Sequence, residues 1–391
     1  MKILIVAPHP FYQERGTPIA VDLLIKALSE RGYEIDLLTF NEGDNRDYPG
    51  LTIHRANPWP EITNVRPGFS LKKLILDFWL LLKFIRLIFT NRYMVVHAVE
   101  ESAFMALILC PLVQTPFIYD MDSSMVTQIV DKYSRIRWLE KLLRFLESMP
   151  MRFASAVVPV CDALADEVRQ YRNEGIYVLK DVSLAKQNGE TAIDIRNTYE
   201  VDSSLLMYIG NLESYQGIDL LLESFALART QKCQAHLVII GGIPTDIEKY
   251  RQRCIDLNID RSVLFLGQQP VTAIGGFMQQ ADILLSPRIQ GTNTPMKLFS
   301  YLDSGIAVLA TDLPTHTQVV TDKIAYLASP TKEALADGIV TLISNDSLRD
   351  QLGKQAQEFI SKEHSYPAFR HTLYHIYDTV LPQPARESDP A

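Results

Sequence analysis

The stretch that decides the fold is ADILLSPRIQGTNTPMKLFSYLDSGIAVLATD, residues 281–312. It runs from a short apolar run, DILLSP, through a polar turn containing Gly291 into an amphipathic segment that closes at Gly305. A second apolar run, IAVLATD, follows directly. Continuous apolar runs joined by a helix are typical of parallel strands covered on both faces. The stretch therefore predicts one strand–helix–strand unit of a parallel sheet.

The same alternation fills most of the 391 residues. In the first half, apolar runs predict the strands KILIVAP, EIDLLTF, LTIHRA, YMVVHAV, PFIYDMD and AVVPV. After a polar stretch the second half predicts LLMYIG, HLVIIGG, VLFLGQ, DILLSP, AVLATD and IAYLAS. Two such series indicate an α/β protein of two doubly wound, Rossmann-like domains. We place these domains at 1–190 and 200–365, a terminal helix packing back on the first domain at 366–382, and a tail at 383–391.

Composition and charge exclude several classes of protein. A net charge of -8 and a pI of about 5.6 do not give the global basic footprint of a nucleic-acid-binding protein, so we expect no nucleic-acid partner. The four cysteines are widely spaced and form no CxxC pair, which indicates reduced thiols in a cytoplasmic protein. The opening MKILIVAPHP has an apolar run only as long as a strand, and this favours a buried first strand over a signal peptide.

One very apolar segment, residues 70–93, has the sequence SLKKLILDFWLLLKFIRLIFTNRY. Its charged residues are Lys72, Lys73, Asp77, Lys83 and Arg86. Because one charge in mid-bilayer costs about 2.5 kcal/mol or more, we do not expect a spanning helix. Two interpretations stay open, and both can hold for one helix. The segment is an amphipathic helix packed on the sheet, or it lays a basic, aromatic face on an anionic membrane surface.

Loops after strands of the second half supply the residues that suit a phosphorylated ligand, because open α/β sheets bind ligands beyond the carboxyl ends of their strands. Gly210 and Gly217 allow close backbone approach before a helix start that favours an anion, with ordinary turn chemistry as the alternative. Gly242 would let a ligand ring or ribose approach. The loop of the opening stretch is the strongest candidate, because it offers cations, hydroxyls and amides for a diphosphate: Arg288, Gly291, Thr292, Asn293, Thr294 and Lys297. The alternative is that Arg288 and Lys297 are solvated surface charges that bind no ligand.

Loops of the first half supply candidates for an acceptor, namely Arg15, Gly16, Thr17, His97 and Glu100. We expect His97 and Glu100 to follow one strand, and Asp120 and Asp122 to follow the next. Two acids at alternate positions would bind sugar hydroxyls or act as a base, unless Asp120 and Ser123 are helix caps. A histidine such as His97 is more often a buried residue with its hydrogen bonds made than a catalyst.

Pro295, in the second half of the chain, suits the first turn of a helix.

The order of these motifs resembles glycosyltransferase family 4, a group of retaining enzymes with the GT-B architecture. The resemblance covers most of the chain and is strongest from YIGNLESYQGIDLLLESF to ATDLPTHTQVV, while VVPVCDALADEV looks like the end of the acceptor domain. It implies two Rossmann-like domains facing a central cleft, with the nucleotide mainly on the second. It also implies transfer of a sugar from a nucleotide sugar to an acceptor hydroxyl, with retention and without a metal or other cofactor.

The sequence departs from this family at its charged positions. Asn211 and Gln216 stand where the family has an Arg and a Lys that bind the donor diphosphate. Thr292 and Ser300 stand where it has paired glutamates, and Asp122 stands where a histidine usually follows the fifth strand. Most of the charged signature is therefore replaced, whereas the glycines and the scaffold remain.

We expect the charge to have moved, with Lys297, Arg288 and Asp122 as the catalytic residues. The expected donor-binding residues are Gly210, Asn211, Gln216, Gly217, Gly242, Thr292, Asn293, Thr294 and Ser300. The expected acceptor is a glycan or a lipid-linked molecule, in cell-envelope glycolipid or polysaccharide synthesis, on the inner face of the plasma membrane. Two alternatives stay open: a non-catalytic binder that has lost its donor-site charges, and another GT-B enzyme such as a nucleotide-sugar epimerase.

Overall fold

The chain folds into two compact units, each with its own sheet. A computed structural model describes residues 1–13, 16–59, 62–63, 70–132, 134–183, 192–231, 233–291 and 294–381. The first unit is Met1–Lys180 together with the chain from Phe369 onward, and the second is Asp181–Ala368. Each unit is therefore described by itself.

The first unit alternates strands and helices from its first residues. Its strands are β1 (Lys2–Ala7), β2 (Glu34–Thr39), β3 (Leu51–Arg55), β4 (Val96–Val99), β5 (Phe117–Met121) and β6 (Ala156–Pro159). Its helices are α1 (Gly16–Glu30), α2 (Leu71–Thr90), α3 (Ser102–Leu109), α4 (Met125–Lys132), α5 (Glu140–Phe153) and α6 (Asp162–Arg169). Most of the terminal helix α15 (Tyr366–Val380) also belongs to this unit.

The second unit repeats the alternation. Its strands are β7 (Ser204–Ile209), β8 (Ala235–Ile240), β9 (Val263–Gly267), β10 (Ile283–Ser286), β11 (Ala307–Thr311) and β12 (Tyr326–Ala328). Its helices are α7 (Ile195–Thr198), α8 (Ile218–Thr230), α9 (Pro244–Asp256), α10 (Val271–Met278), α11 (Met296–Asp303), α12 (Pro314–Thr317), α13 (Lys332–Ser344) and α14 (Asp346–Glu363). Every strand predicted from an apolar run is present, so the predicted fold class is confirmed.

Both sheets are parallel and have the same topology. The orders are β3-β2-β1-β4-β5-β6 and β12-β11-β10-β7-β8-β9. Within each sheet the strand order reverses beside the first strand, so the switch point lies between β1 and β4 in one unit and between β7 and β10 in the other. In the second unit Leu206 pairs with Ile283 across this point. Ligands of such sheets bind beyond the carboxyl ends of the strands at the switch point.

Apolar side chains cover both faces of the second sheet, as the continuous apolar runs require. Leu206, Tyr208 and Leu285 pack on one face against α8 and α13, whereas Met207 and Leu284 pack on the other against α10 and α11. Alternation along a strand sends successive side chains to opposite faces. The sheet is therefore a rigid base for the loops at its carboxyl edge.

Helix α2 packs one apolar face on the first sheet. Leu76, Leu80 and Phe84 are fully buried there, at helical spacing. Ser70 caps the helix by accepting a hydrogen bond from the Lys73 amide. The interpretation of segment 70–93 as an amphipathic helix on the sheet is thus confirmed. No helix in the described ranges is long and apolar enough to cross a bilayer.

Three local expectations were wrong. His97 and Asp120 lie inside β4 and β5 rather than after them, because each strand continues its pairing beyond the apolar core of its run. Helix α4 begins at Met125, and Ser124 rather than Ser123 accepts from the Thr127 amide. Pro295 has extended backbone and precedes α11 instead of forming its first turn.

Candidate functional site

The loops after β7 and β10 meet at the switch point of the second sheet. The first loop runs from Gly210 to Gly217, and the second begins at Pro287 and is described as far as Gly291 and again at Thr294 and Pro295. The Ile289 amide donates to the Tyr215 carbonyl at 3.0 Å, which joins the two loops. This edge therefore holds most of the residues predicted to bind a donor.

The loop after β7 is tied down by its own side chains. The Tyr208 hydroxyl donates to the Asn211 carbonyl at 2.7 Å, and the Asn211 side chain accepts from the Glu213 amide at 3.3 Å. A Cβ on Gly210 would lie 3.0 Å from the Tyr208 hydroxyl and 3.2 Å from Lys297 Nζ. Glycine is the residue that lets the backbone pass this closely.

Gly217 fixes the start of α8. Its φ of 74° lies in the left-handed region, and a Cβ there would stand 2.0 Å from the Pro287 carbonyl oxygen. Only glycine fits both the conformation and the space. The backbone that precedes Arg288 therefore packs directly on the first turn of α8.

The Lys297 ammonium is enclosed at this edge, although part of its side chain stays accessible. Nζ donates to Gln216 Oε1 at 3.0 Å and lies 3.9 Å from the centre of the Tyr208 ring. Burial, and then the nearby Arg288 cation, lower the Lys297 pKa well below its ordinary value. Neither cause is a carboxylate, so among the described residues no acid balances this charge. Enclosed cations of this kind are favourable where an anionic ligand supplies the counter-charge.

Arg288 is the second cation of the site. Its guanidinium lies 5.3 Å from the centre of the Tyr215 ring, and its Nε donates to the Gln290 carbonyl at 2.7 Å. Burial lowers its pKa somewhat, but an arginine keeps its charge near neutral pH. The structure thus brings Arg288 and Lys297, the two cations of the moved-charge hypothesis, to one edge of the second sheet, with Gln216 beside them. Their roles stay predictions.

Two further residues predicted to bind the donor lie just before α11 and inside it. Thr294, which precedes the helix, has a buried Oγ1 without a hydrogen-bond partner within the part of the chain that the structure describes. Ser300 is buried within α11. Thr292 and Asn293 lie outside the described residues. The partnerless Thr294 hydroxyl is a group that a bound oxygen-rich ligand would satisfy.

Gly242 lies at the end of the neighbouring strand, β8. Its φ of 82° is again left-handed, and a Cβ would stand 2.5 Å from Leu212 Cδ1. The preceding Gly241 donates its amide to the Gly267 carbonyl at 2.6 Å. The β8 end is therefore close-packed backbone beside the loop that begins at Gly210.

A buried histidine, His316, lies beneath the candidate site and was not predicted from the sequence. His316 Nδ1 donates to the Thr311 carbonyl at 2.9 Å, and its Nε2 accepts from Ser286 Oγ at 2.8 Å. Thr311 Oγ1 in turn donates to the Arg288 carbonyl. Burial lowers the His316 pKa to about 4, so the ring is neutral near pH 7. The only signal in the sequence is one histidine in a loop after a strand, TDLPTH.

The residues predicted on the acceptor side lie in the first unit. Gly16 and Thr17 begin α1, and Arg15 lies outside the described residues. His97 is fully buried, with Nδ1 3.0 Å from the Tyr377 hydroxyl and Nε2 3.1 Å from Asp120 Oδ2. These contacts are those of a satisfied interior histidine. Its acceptor role stays a prediction.

Asp122 and Glu100 lie at the carboxyl edge of the first sheet. Asp122 directly follows β5 and is half-buried. Glu100 Oε1 accepts from Ser123 Oγ at 3.1 Å, and Ser123 accepts from Gln128 at 2.6 Å. The roles predicted for Asp122 and Glu100 also stay predictions.

Buried carboxyls near α2 make the stability of the first unit depend on pH. Burial, then the Glu101 charge, raise the pKa of Asp77 to about 8 and that of Glu100 to about 7. In the unfolded chain both pKa values are about 4, so the folded unit holds more protons between pH 4 and 8. Below pH 4 both carboxyls are protonated in the folded and the unfolded chain, so their ionisation does not reduce stability. As pH rises from 4 to 8, they lower the free energy of unfolding progressively.

We expect Asp77→Asn to remove part of this decline. Each proton difference contributes about 1.4 kcal/mol of unfolding free energy per pH unit, so the variant should lose less stability than the parent between pH 5 and 8. Denaturant titrations at several pH values measure the slope. Asp47→Asn, at an exposed loop position, is the matched control and should keep the parent slope. Equal slopes for Asp77→Asn and the parent would contradict this assignment.

Comparison with known proteins decides the family. A model described as Glycosyl transferases group 1 matches residues 191–359, and one described as Glycosyltransferase Family 4 matches residues 15–179. The chain belongs to this glycosyltransferase family. The predicted family is thereby confirmed, whereas the reaction and its retention of configuration stay predictions.

Relatives and solved structures agree with this assignment. Phosphatidyl-myo-inositol mannosyltransferase of Mycobacterium leprae is 26% identical over 211 residues, which are 49% of this chain and 54% of that protein. The chain thus spans about half the length of the curated relatives it matches. A structure of Anabaena Alr3699/HepE in complex with UDP has a TM-score of 0.75 at 15% identity, covering 97% of this chain and 100% of that one. Sucrose-phosphate synthase from Thermosynechococcus elongatus gives 0.77 at 18%, covering 97% and 98%. These structures confirm the GT-B type of fold.

Proposed function

We propose that this glycosyltransferase transfers a sugar from a nucleoside-diphosphate sugar bound to its second unit. The observation that supports this most is the enclosed Lys297 ammonium, which has Arg288 as a neighbouring cation and no balancing carboxylate among the described residues. The pair lies at the switch point of the sheet, where such folds bind their ligands. The structure of Anabaena Alr3699/HepE, which shares the fold, contains UDP.

The proposed chemistry places the diphosphate leaving group at these cations. Negative charge grows on the departing diphosphate in the transition state, and preorganised cations and amides stabilise it more than they stabilise the bound substrate. Lys297 and Arg288 supply the charge, while Thr294 and the amides near Gly210 and Gly217 supply hydrogen bonds. An acceptor hydroxyl then attacks the same face of the sugar and gives its proton to the departing diphosphate, so that configuration is retained. Asp122 would orient the sugar or the acceptor.

Protein cations take the place of a metal ion in this proposal. We therefore expect turnover to continue in the presence of a chelator such as EDTA. A strict requirement for a divalent cation would show that Lys297 and Arg288 do not neutralise the diphosphate by themselves.

A thermal-shift screen against UDP, GDP, ADP and their common sugars tests the donor site. A ligand that binds only the folded protein stabilises it by an amount that grows with its excess over the dissociation constant. We expect one base to raise the unfolding midpoint without added metal, and that base names the donors for a turnover assay. If none of these ligands shifts the midpoint, the alternative of a binding protein without a functional donor site is favoured.

The acceptor side of the proposal rests on helix α2. Opposite its buried face, Phe78 and Phe89 are 56% and 57% exposed, in line with the exposed Leu74 and Leu82. Arg86 is also exposed on this helix. An apolar stripe with basic residues is typical of helices that lie on an anionic bilayer surface. We propose that α2 holds the protein on the cytoplasmic face of a membrane, where a lipid-linked acceptor would be reached.

We expect the double variant Phe78→Glu, Phe89→Glu to lose binding to anionic vesicles. Burial of an aromatic side chain is worth about 1.5 to 3 kcal/mol, so replacing two of them should lower the partition coefficient onto the vesicles more than tenfold. Flotation with vesicles containing phosphatidylglycerol measures it. The matched control is Ile243→Glu with Ile255→Glu, which changes two exposed apolar residues of the second unit. Equal flotation of both double variants would remove α2 as the membrane contact.

A further inference from the structure

We propose that Tyr208 is a positioning residue that holds the Lys297 ammonium in place through the face of its ring. Nζ lies 3.9 Å from the ring centre, within the range of a cation–π contact. The same side chain donates its hydroxyl to the Asn211 carbonyl at 2.7 Å. One residue of β7 thus contacts both the cation and the loop around it. This positioning role rests on the proposed function, in which Lys297 binds the donor diphosphate.

The surroundings explain why such a contact matters. Among the described residues, the other charged or titratable groups beside Lys297 and Tyr208 are Arg288, His316, Tyr215, Tyr250 and Tyr301. Arg288 repels the ammonium, and the neutral His316 ring offers no opposite charge. The electron-rich face of Tyr208 and the Gln216 oxygen are the groups that favour the charged form. Without them the Lys297 pKa would be lower still, and the neutral amine, which binds an anion less well, would be more populated.

Tyr208 is itself held rigidly. Its ring is fully buried, and burial raises its pKa well above the ordinary value, so the hydroxyl stays protonated and donates. On the neighbouring helix, the Tyr301 hydroxyl accepts from the Ile209 amide at 2.7 Å, which fixes the end of β7 against α11. Because Lys297 lies in the first turn of α11, this contact also fixes the distance between the Tyr208 ring on β7 and the backbone of Lys297.

A graded series at position 208 tests the contact in the full-length protein. Tyr208→Phe removes the hydroxyl and keeps the ring, and replacement with trifluorophenylalanine keeps the shape but weakens the negative face. The Lys297 pKa is followed by NMR of isotope-labelled lysine, with Lys297→Met assigning the signal. We expect the pKa to be close to the parent in Tyr208→Phe and lower by about one pH unit with the fluorinated ring. An unchanged pKa with the fluorinated ring would overturn the inference.

Binding of inorganic pyrophosphate separates this inference from the proposed function. Calorimetric titrations over a series of pH values should show affinity falling as pH rises through the Lys297 pKa, with the midpoint moved to lower pH by the fluorinated ring. Tyr208→Phe should weaken binding several-fold without moving the midpoint, because the loop loses its hydrogen bond to Asn211. If the ring changes the Lys297 pKa but Lys297→Met binds pyrophosphate as the parent does, the donor site is wrong and the contact stands. If Lys297→Met abolishes binding but the ring series moves neither pKa nor midpoint, the contact is wrong and the donor site stands.

Discussion

Replacing Lys297 with methionine is expected to lower kcat by about 100- to 1,000-fold, the range seen when one preorganised donor is removed from a transition state. The unfolding free energy should rise or stay within about 1 kcal/mol of the parent value. An enclosed charge without an acidic partner costs desolvation energy, and an apolar side chain of similar length relieves that cost. The loss of the hydrogen bond to Gln216 offsets part of the gain.

Activity and stability must be measured together, because turnover should fall without a matching loss of stability. Turnover is assayed with the donor class that the nucleotide screen identifies, and stability by denaturant unfolding. Lys323→Met is the matched control, since Lys323 is an exposed lysine of the same unit. It should keep both values. A Lys297→Met variant with the activity of the parent would remove Lys297 from the mechanism.

Gly217→Ala is expected to destabilise the second unit by about 3 to 5 kcal/mol, which is at the upper end for single substitutions. The new Cβ would stand 2.0 Å from the Pro287 carbonyl oxygen, and backbone atoms cannot move aside as the end of a side chain can. The left-handed backbone adds a cost of about 1 to 2 kcal/mol for any residue with a Cβ. Because Arg288 follows Pro287, any protein that still folds should also have lower turnover.

Gly267→Ala separates the two costs. Gly267 has a similar φ of 67°, but the nearest atom to its Cβ would be Ile247 Cδ1 at 4.0 Å. This variant should show the conformational cost alone, about 1 to 2 kcal/mol, in the same unfolding assay. Equal losses for Gly217→Ala and Gly267→Ala would mean that the contact with Pro287 is not tight in solution.

The sheets were predictable because buried parallel strands need continuous apolar runs, and each of these runs is short and bounded by polar loops. The residues at which the strands end were harder to predict. His97 and Asp120 continue their strands because strand pairing, rather than side-chain polarity, decides where a strand stops. Polar residues at the edge of a sheet therefore look like loop residues in a sequence.

The residues of the candidate site could be predicted to share one edge of the second sheet, but their contacts could not. Glycines and cations after strands indicated the edge of the second sheet, and the replacement of two family cations by Asn211 and Gln216 could be read directly. The contact of Lys297 Nζ with Gln216 Oε1 joins residues 81 positions apart, which no local pattern shows. The Ser286–His316–Thr311 network was missed for the same reason, since it forms only when β10, β11 and α12 come together.

The most direct test is an experimental structure of the protein with the nucleoside diphosphate that the screen identifies. We expect the β-phosphate to lie within hydrogen-bond distance of Lys297 Nζ and Arg288, with the nucleotide on the second unit. An ordered diphosphate bound elsewhere, with Lys297 Nζ still on Gln216 and apart from the ligand, would contradict the proposal that charge has moved from the first loop to α11.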